Sequence, residues 1–441
     1  MDFTPHTETE IAEMLEVIGV SSIDELFGVI PERFKVQDQI KLPEPMSEPE
    51  VLAHMRDLAA KNKLVTSFLG AGAYNHYVPS VVHHLVGRGE FLTAYTPYQP
   101  ELSQGTLMAQ FEYQTMVASL LGMDVSNASM YEGATALAEG CLMAIKHTRR
   151  DKILIASTVH PQYRKVVGSY VGPENLVLAP FDETGAIDFA KIGGLLDDTI
   201  AAVVAQTPNF FGVIEDFGKI SELAHNAGAL SIATFSEPLA FGLIEPPGSL
   251  GADIAAGEGQ SLGLPLSFGG PYLGMFAVKQ PFVRGMPGRL IGRTVDSRGN
   301  TCYTLTLAAR EQHIRRERAS SNICSNEGLC AVMSAIHMSM LGKSGLYKLA
   351  KFNHFRAERV KNMLVSAGLK IAFSGPTFNE FVVSLGKPAS KVVETLSKDG
   401  LVPGLALDKT VLNISDGLLI AVTENNSDKD IERLISALKS A

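Results

Sequence analysis

Ile200-Ala201-Ala202-Val203-Val204-Ala205-Gln206 decides the fold class, because its apolar residues run together without polar alternation, as in a strand buried on both faces. Working outward, Lys152–Ser157, Asn175–Ala179, Leu230–Phe235 and Asp253–Gly257 are strands of mostly the same character. Gly105–Gly122 and Gly133–Arg150 read as helices, the second ending in Lys146, Arg149 and Arg150, where a helix C-terminus favours cations. Strands alternating with helices over residues 64–309 predict an α/β domain around a mostly parallel sheet. Tyr272–Val278, behind a glycine-rich loop, is a further candidate strand.

The flanks read differently. Beyond Arg310 the pattern predicts a long helical stretch to about Gly368, strands at Lys370–Phe373, Glu380–Leu385 and Leu418–Thr423, and a last helix from Ser427. Residues 310–441 are therefore expected to form a smaller α+β domain. Residues 1–63 predict a helical arm. Thr7 and Glu10 make a capping box, Ile11, Leu15 and Ile18 share one face, and Gly19 closes that helix. Ser22 caps a second helix that stops before Pro31, and Ser47 with Glu50 opens a third. Such an arm either caps the main domain or clasps a partner.

The 441 residues are 46% apolar and 19% charged, with 38 basic against 47 acidic residues and a net charge of −9. This composition excludes a disordered chain and gives no footprint for nucleic acid. Met1–His6 carries no basic region before an apolar core, and no uninterrupted apolar run nears the ~20 residues of a membrane span. A cytoplasmic protein with no membrane segment is expected. Cys141, Cys302, Cys324 and Cys330 read as free thiols, since their spacing fits no usual zinc pattern. His313 and Glu317 lie one helical turn apart, but Arg310, Arg315, Arg316 and Arg318 surround them and repel a cation. No metal site is expected. The same arginines, alternating with Glu311 and Glu317, suit an ion-paired helix or an anchor for a carboxylate or partner.

There is no phosphate loop of the Gly-x-x-x-x-Gly-Lys type, no His-Glu-x-x-His and no Gly-x-Ser-x-Gly. The densest unusual segment is Tyr95-Thr96-Pro97-Tyr98-Gln99-Pro100-Glu101-Leu102-Ser103-Gln104-Gly105. Tyrosines, prolines and amides make it a rigid, hydrogen-bonding loop immediately before a helix, suited either to a turn or to a site.

That run, with Tyr113–Val117, Asn127–Ala136, His160-Pro161-Gln162, Gly269-Gly270-Pro271, Arg310–Arg316, Ser321–Cys324 and Gly375–Glu380, closely resembles the P-protein of the glycine cleavage system. The resemblance runs in order along essentially the whole chain. It implies the aspartate-aminotransferase-like fold of pyridoxal-phosphate enzymes (fold type I), with a large domain built on a mixed sheet and a smaller C-terminal domain. At 441 residues the chain resembles the N-terminal half of the family, its subunit 1 type.

An enzyme of this fold needs a Lys for the Schiff base and an acidic partner for the pyridinium nitrogen. In the matching segment, Gly251–Leu262, Gln260 or Ser261 stands at the Lys position, and no Lys occurs between Lys219 and Lys279. Leu230–Phe235 continues as Ser236-Glu237-Pro238 without an Asp. The resemblance thus implies a non-cofactor-bearing subunit whose partner, subunit 2, holds the pyridoxal phosphate. It further implies that Tyr95, Tyr98 and Gln99 line a shared site, with Ser103 and Gln104 supporting the loop. Glu132, Thr135, His160 and Gln260 fall in what would be this half's own, vestigial cofactor pocket. For the assembled enzyme it implies glycine decarboxylation, transfer of the aminomethyl group to the lipoyl arm of the H-protein, and a dimer of heterodimers. Two other readings are a stand-alone pyridoxal-phosphate decarboxylase or desulfurase, against which the missing Lys and Asp speak, and a purely structural or regulatory subunit.

Overall fold

The structure is a computed structural model that describes residues 5–36, 41–409 and 414–440, without the side chains of His313 and Lys409. It comprises two compact units, Met1–Lys63 and Leu64–Ala441.

In the first unit, Glu8–Ile18 is a helix opened by the expected capping box: Thr7 N donates to Glu10 Oε2 at 2.7 Å and Glu10 N to Thr7 Oγ1 at 3.3 Å. Gly19 ends it in the left-handed region, at φ 83°. The second segment, Ile23–Val29, is a 3₁₀ helix rather than an α-helix, and the third helix spans Glu48–Ala60. None of the three buries a residue.

The second unit opens with β1 (Thr66–Ser67) and is built on a seven-stranded sheet. Its strands are β2 (Val125–Ser126), β3 (Lys152–Ala156), β4 (Leu176–Ala179), β5 (Ile200–Gln206), β6 (Leu230–Phe235), β7 (Ile254–Glu258) and β8 (Gly274–Val278), in spatial order β2-β8-β7-β6-β5-β3-β4. Pairing is parallel from β4 through β7, and β8 runs antiparallel to both β7 and β2. Every residue of β5, β6, β7 and β8 is buried, which is why these strands read as apolar runs. The sequence places the added strand near Tyr272–Val278; it begins at Gly274 and lies between two neighbours rather than at an edge.

β9 (Leu290–Val295) and β10 (Thr301–Thr306) form an antiparallel hairpin that the sequence reading does not contain. The long helical stretch expected after Arg310 is interrupted. Gln312–Arg315 is one helical turn, 3₁₀ turns flank it, and the long helix begins only at Gly328 and runs to Ser366 with a break at Gly342, φ 56°. Arg310 is drawn in to donate to Gly288 O at 2.9 Å, so the arginines do not share one helix face. Among the described residues, Gly328–Ser366 is the one helix long and apolar enough to cross a membrane by length and composition. Cys330, Ala331, Ala335 and Met338 on it belong to the main core, as in a core helix.

The C-terminal part adds β11 (Lys370–Ile371), β12 (Glu380–Ser384), β13 (Leu401–Val402), β14 (Leu405–Ala406) and β15 (Gly417–Ala421). An antiparallel sheet of order β11-β12-β15-β14 packs with helices Ala389–Lys398 and Asp428–Ser440 around Phe381, Leu418 and Leu434. β1 pairs in parallel with β13, and Phe68 just after it enters this core. The segment following Phe68 therefore leaves the C-terminal core and crosses to the large sheet.

Candidate functional site

In an open parallel sheet, ligands bind where strands end and helices begin. Here Thr158–His160 follows β3, Ser236-Glu237 follows β6, and Gly259–Ser261 follows β7. All three loops turn toward one segment, Gly70-Ala71-Gly72-Ala73-Tyr74-Asn75-His76. The Gln260 amide takes a hydrogen bond from Tyr74 N at 2.9 Å and donates to Tyr74 O at 3.0 Å and Leu264 O at 2.9 Å. His160 Nε2 lies 2.9 Å from Ala71 O, and its Nδ1 accepts from Gln162 N at 3.2 Å. With a carbonyl on one nitrogen and an N–H on the other, the ring is neutral, and burial pushes its pKa down. Ser236 Oγ is 3.3 Å from Tyr74 Oη, which donates to Glu380 Oε2 at 2.9 Å. Ala71 N donates to Glu380 Oε1 at 2.7 Å. Ser261 is buried as well, its Oγ without a partner among the described residues.

Glycines let this segment lie close. Gly72 has φ 105°, and a Cβ there would sit 3.0 Å from His160 Nε2; one on Gly70 would sit 2.4 Å from Glu380 Oε1.

The helix Gly133–Thr148 starts at the same end of the sheet. Glu132 caps it, accepting from Ala134 N at 2.6 Å and Thr135 N at 2.9 Å, and the Thr135 hydroxyl also bonds it. The next free N–H, of Gly133, goes to Glu258 Oε2 at 3.0 Å. Glu258 Oε1 gathers Gly259 N, Gln260 N and Leu273 N at 3.0–3.1 Å. Burial, reinforced by the charge of Glu132, pushes Glu258 up to about 7 against the pull of those N–H groups. A helix N-terminus favours an anion by at most ~2 kcal/mol, whereas two like charges ~4 Å apart at an effective dielectric of ~20 repel by about 4 kcal/mol. Two carboxylates thus already take the N–H groups of Gly133, Ala134 and Thr135.

Beside the segment lies a buried charge triad. His76 Nε2 is 2.8 Å from Glu237 Oε2 and its Nδ1 2.9 Å from Glu424 Oε2. Burial alone pushes the imidazole down, but the two carboxylates overcome it and raise it to about 10. Asn379 and Asn353 each donate an amide to the triad, to Glu237 and Glu424.

The second place singled out by the sequence is separate. Tyr95 is 87% and Tyr98 52% exposed, and Gln99 is exposed. Below them Arg289, 3% exposed, donates to Tyr98 Oη at 3.2 Å, Cys324 O at 3.0 Å, and Ser325 Oγ and Asn326 Oδ1 at 3.3 Å. Its guanidinium carbon is 5.3 Å from the Tyr98 ring centroid, a cation–π contact. Gln104 clamps β10 as an added strand would: its Oε1 accepts from Tyr303 N at 2.9 Å and its Nε2 donates to Tyr303 O at 2.8 Å and Pro100 O at 2.7 Å. Ser103 caps the helix Gln104–Leu121 through its carbonyl, which accepts from Leu107 N at 2.9 Å, and not through its side chain. Gln104→Ala should therefore loosen the loop and cost about 1–2 kcal/mol of stability in chemical denaturation.

The structure thus brings Gln260 and His160 together on Gly70–His76, sets Glu132 and Thr135 at the adjoining helix start, and ties Tyr98 and Gln104 to Arg289 and Tyr303. Sequence reading misses Tyr74, His76, Glu258, Arg289 and Glu424 as parts of these networks. Glu237 and Glu380 stand within quoted stretches, but nothing local marks their partners. The four cysteines are free, Cys141 and Cys330 buried. Among the described residues no group of three or more His, Cys, Asp and Glu could hold a metal.

Comparison with known proteins agrees with this geometry. Residues 1–438 match the family described as glycine cleavage system P-protein. A relative from Carboxydothermus hydrogenoformans, named probable glycine dehydrogenase (decarboxylating) subunit 1, is 48% identical over 99% of both chains. A crystal structure of glycine decarboxylase (P-protein) of the glycine cleavage system, in inhibitor-bound form, superposes with a TM-score of 0.89 at 44% identity over 100% of both chains. At 13% identity, glutamate decarboxylase of Lactobacillus brevis shares the fold alone, with a TM-score of 0.69 over 95% of this chain and 96% of that one. The fold is that of fold type I pyridoxal-phosphate enzymes, and the chain belongs to the glycine cleavage system P-protein family.

Proposed function

We propose that this chain is the non-cofactor-bearing subunit of a heteromeric glycine decarboxylase, paired in the cytoplasm with a second subunit that holds the pyridoxal phosphate. On this reading residues 1–63 are a helical arm, 64–309 the large domain and 310–441 the small domain. The pair acts on glycine and passes the aminomethyl group to the lipoyl arm of the H-protein, and assembles as a dimer of heterodimers without nucleic acid, metal or membrane.

The observation that carries the reading is Gln260. A neutral amide cannot form an imine, and this one is 1% exposed with its oxygen and nitrogen bonded to Tyr74 and Leu264. The residues around it do not fit pyridoxal phosphate: no Lys occurs between Lys219 and Lys279, β6 carries no Asp and runs on into Ser236-Glu237-Pro238 with Glu237 engaged by His76, and two carboxylates take the helix-start N–H groups that a phosphate would need. The exposed phenols of Tyr95 and Tyr98 and the amide of Gln99 then serve a site completed by the other subunit, held in place by Gln104 and Arg289.

Co-expression with the second subunit, followed by sizing and a glycine decarboxylation assay, tests this. The expected result is a stable complex with two copies of each chain and activity only in the complex. Decarboxylation by this chain alone would contradict it and favour a stand-alone enzyme.

A further inference from the structure

We propose that Gly70–His76 is a built-in ligand of this chain: the segment permanently fills the cleft that would otherwise receive a cofactor, and in doing so locks the C-terminal sheet to the large sheet. The inference rests on the reading of that cleft as a former cofactor site.

Three of the cleft's own groups are spent on the segment. Gln260, with Ser261 one of two candidates for the Schiff-base position, uses its amide on both the N–H and the carbonyl of Tyr74. His160 turns its Nε2 to the Ala71 carbonyl. Ser236, just after β6, faces the Tyr74 phenol. Three groups from three strand ends meet one short segment, two at its backbone and one at the Tyr74 phenol, and Glu132 takes two N–H groups of the adjoining helix start. The segment is shaped for this, because a side chain at Gly70 or Gly72 would collide with Glu380 or His160.

The other side of the same stretch holds the C-terminal sheet. Ala71 N and the Tyr74 phenol bind Glu380 at the start of β12, and His76 bridges Glu237 after β6 to Glu424 after β15. A ligand that arrives and leaves could not serve as such a joint; a covalent part of the chain can.

Hydrogen exchange on the purified full chain, with wild type, Q260M and Q260K, tests the proposal. Q260M keeps the side-chain volume and removes the amide. In wild type the peptide spanning residues 70–76 should exchange at least about a hundredfold more slowly than an unstructured peptide. In Q260M that peptide should exchange at least about tenfold faster than in wild type, with the strands β5–β7 unchanged. Q260K, incubated with pyridoxal phosphate and borohydride, should trap no pyridoxyl group at position 260. Unprotected exchange in wild type overturns the proposal, as does an unchanged rate in Q260M. A pyridoxyl group trapped at position 260 of the Q260K chain also overturns it, while showing that the cleft is indeed a cofactor site. Failure of the subunit assignment shows separately, as decarboxylation by the wild-type chain alone. If Q260K does not fold, the wild-type and Q260M exchange rates decide.

Discussion

His76→Ala is expected to destabilise the unit Leu64–Ala441 by about 3–5 kcal/mol, the range for breaking a buried ion pair from one side. Glu237 and the Glu424 side chain, 2% and 12% exposed, would be left facing a void with no cation between them. In the native chain the contribution is pH-dependent with a definite sign. His76 rises from 6.5 in the unfolded chain to about 10, so its contribution is fully present below pH 6.5 and is lost as pH climbs through 10. Glu424 falls to about 2, since the hydrogen bond and charge of His76 outweigh its burial. That contribution is present above pH 4.5 and lost as pH drops through 2. The triad therefore works at full strength between about pH 4.5 and 6.5. A shift as large as that of His76 is worth on the order of 5 kcal/mol, in line with the mutational figure. Burial also raises Glu380, to about 7, against the pull of Ala71 N and Tyr74 Oη; its contribution is full below pH 4.5 and fades as pH rises through 7. Thermal melts from pH 5 to 10 should thus show the stability gap between wild type and His76→Ala at its widest near pH 6 and narrowing as pH climbs from 6.5 toward 10. An identical slope above pH 7 in both proteins would remove the charged triad from the account.

Tyr95→Phe, assayed in the reconstituted pair, is expected to lower kcat about tenfold to a hundredfold while sizing shows the same complex. Tyr95 is 87% exposed, and among the described residues its phenol enters no hydrogen bond. A hydroxyl with no partner among the described residues, on a loop held by Gln104, suits the proposed shared site. Tyr98→Phe should lower turnover too, with a second effect the first lacks: Arg289 loses an acceptor, and the chain itself loses about 1 kcal/mol of stability. A fall in kcat at constant KM marks a group acting on the reaction, whereas a change in complex size alone marks a structural one. Full turnover in both variants would leave the subunit role intact and remove the shared-site role of this loop.

How far these places are legible in the sequence depends on how locally each is encoded. Strands such as Ile200–Gln206 and Leu230–Phe235 announce themselves, because a strand buried on both faces must be apolar throughout. The hairpin β9–β10 is hidden: Leu290–Val295 is buried at its first two residues and exposed at its last three, and Arg293 and Thr294 break the pattern. The helix expected from Arg310 begins late because charge alternation marks a helix only when the residues share one, and here Arg310 turns inward to Gly288. The capping boxes at Thr7 and Ser47 are readable because their partners lie three residues away. The opposite holds for the cleft. Tyr74 bonds Gln260 across 186 residues and Glu380 across 306, separations at which no periodicity or motif carries a signal. The absence of a Lys between Lys219 and Lys279 is visible in sequence; the bonds that Gln260 makes instead are visible only in the fold.

The most direct measurement is borohydride trapping of pyridoxal phosphate on the co-purified pair, with the labelled polypeptide identified by mass spectrometry and carboxyl exchange between glycine and bicarbonate followed in the same samples. The account predicts a pyridoxyl group on the second subunit only, with exchange in the pair and none in this chain alone. A pyridoxyl group on any lysine of this chain, or exchange by this chain without its partner, would contradict it.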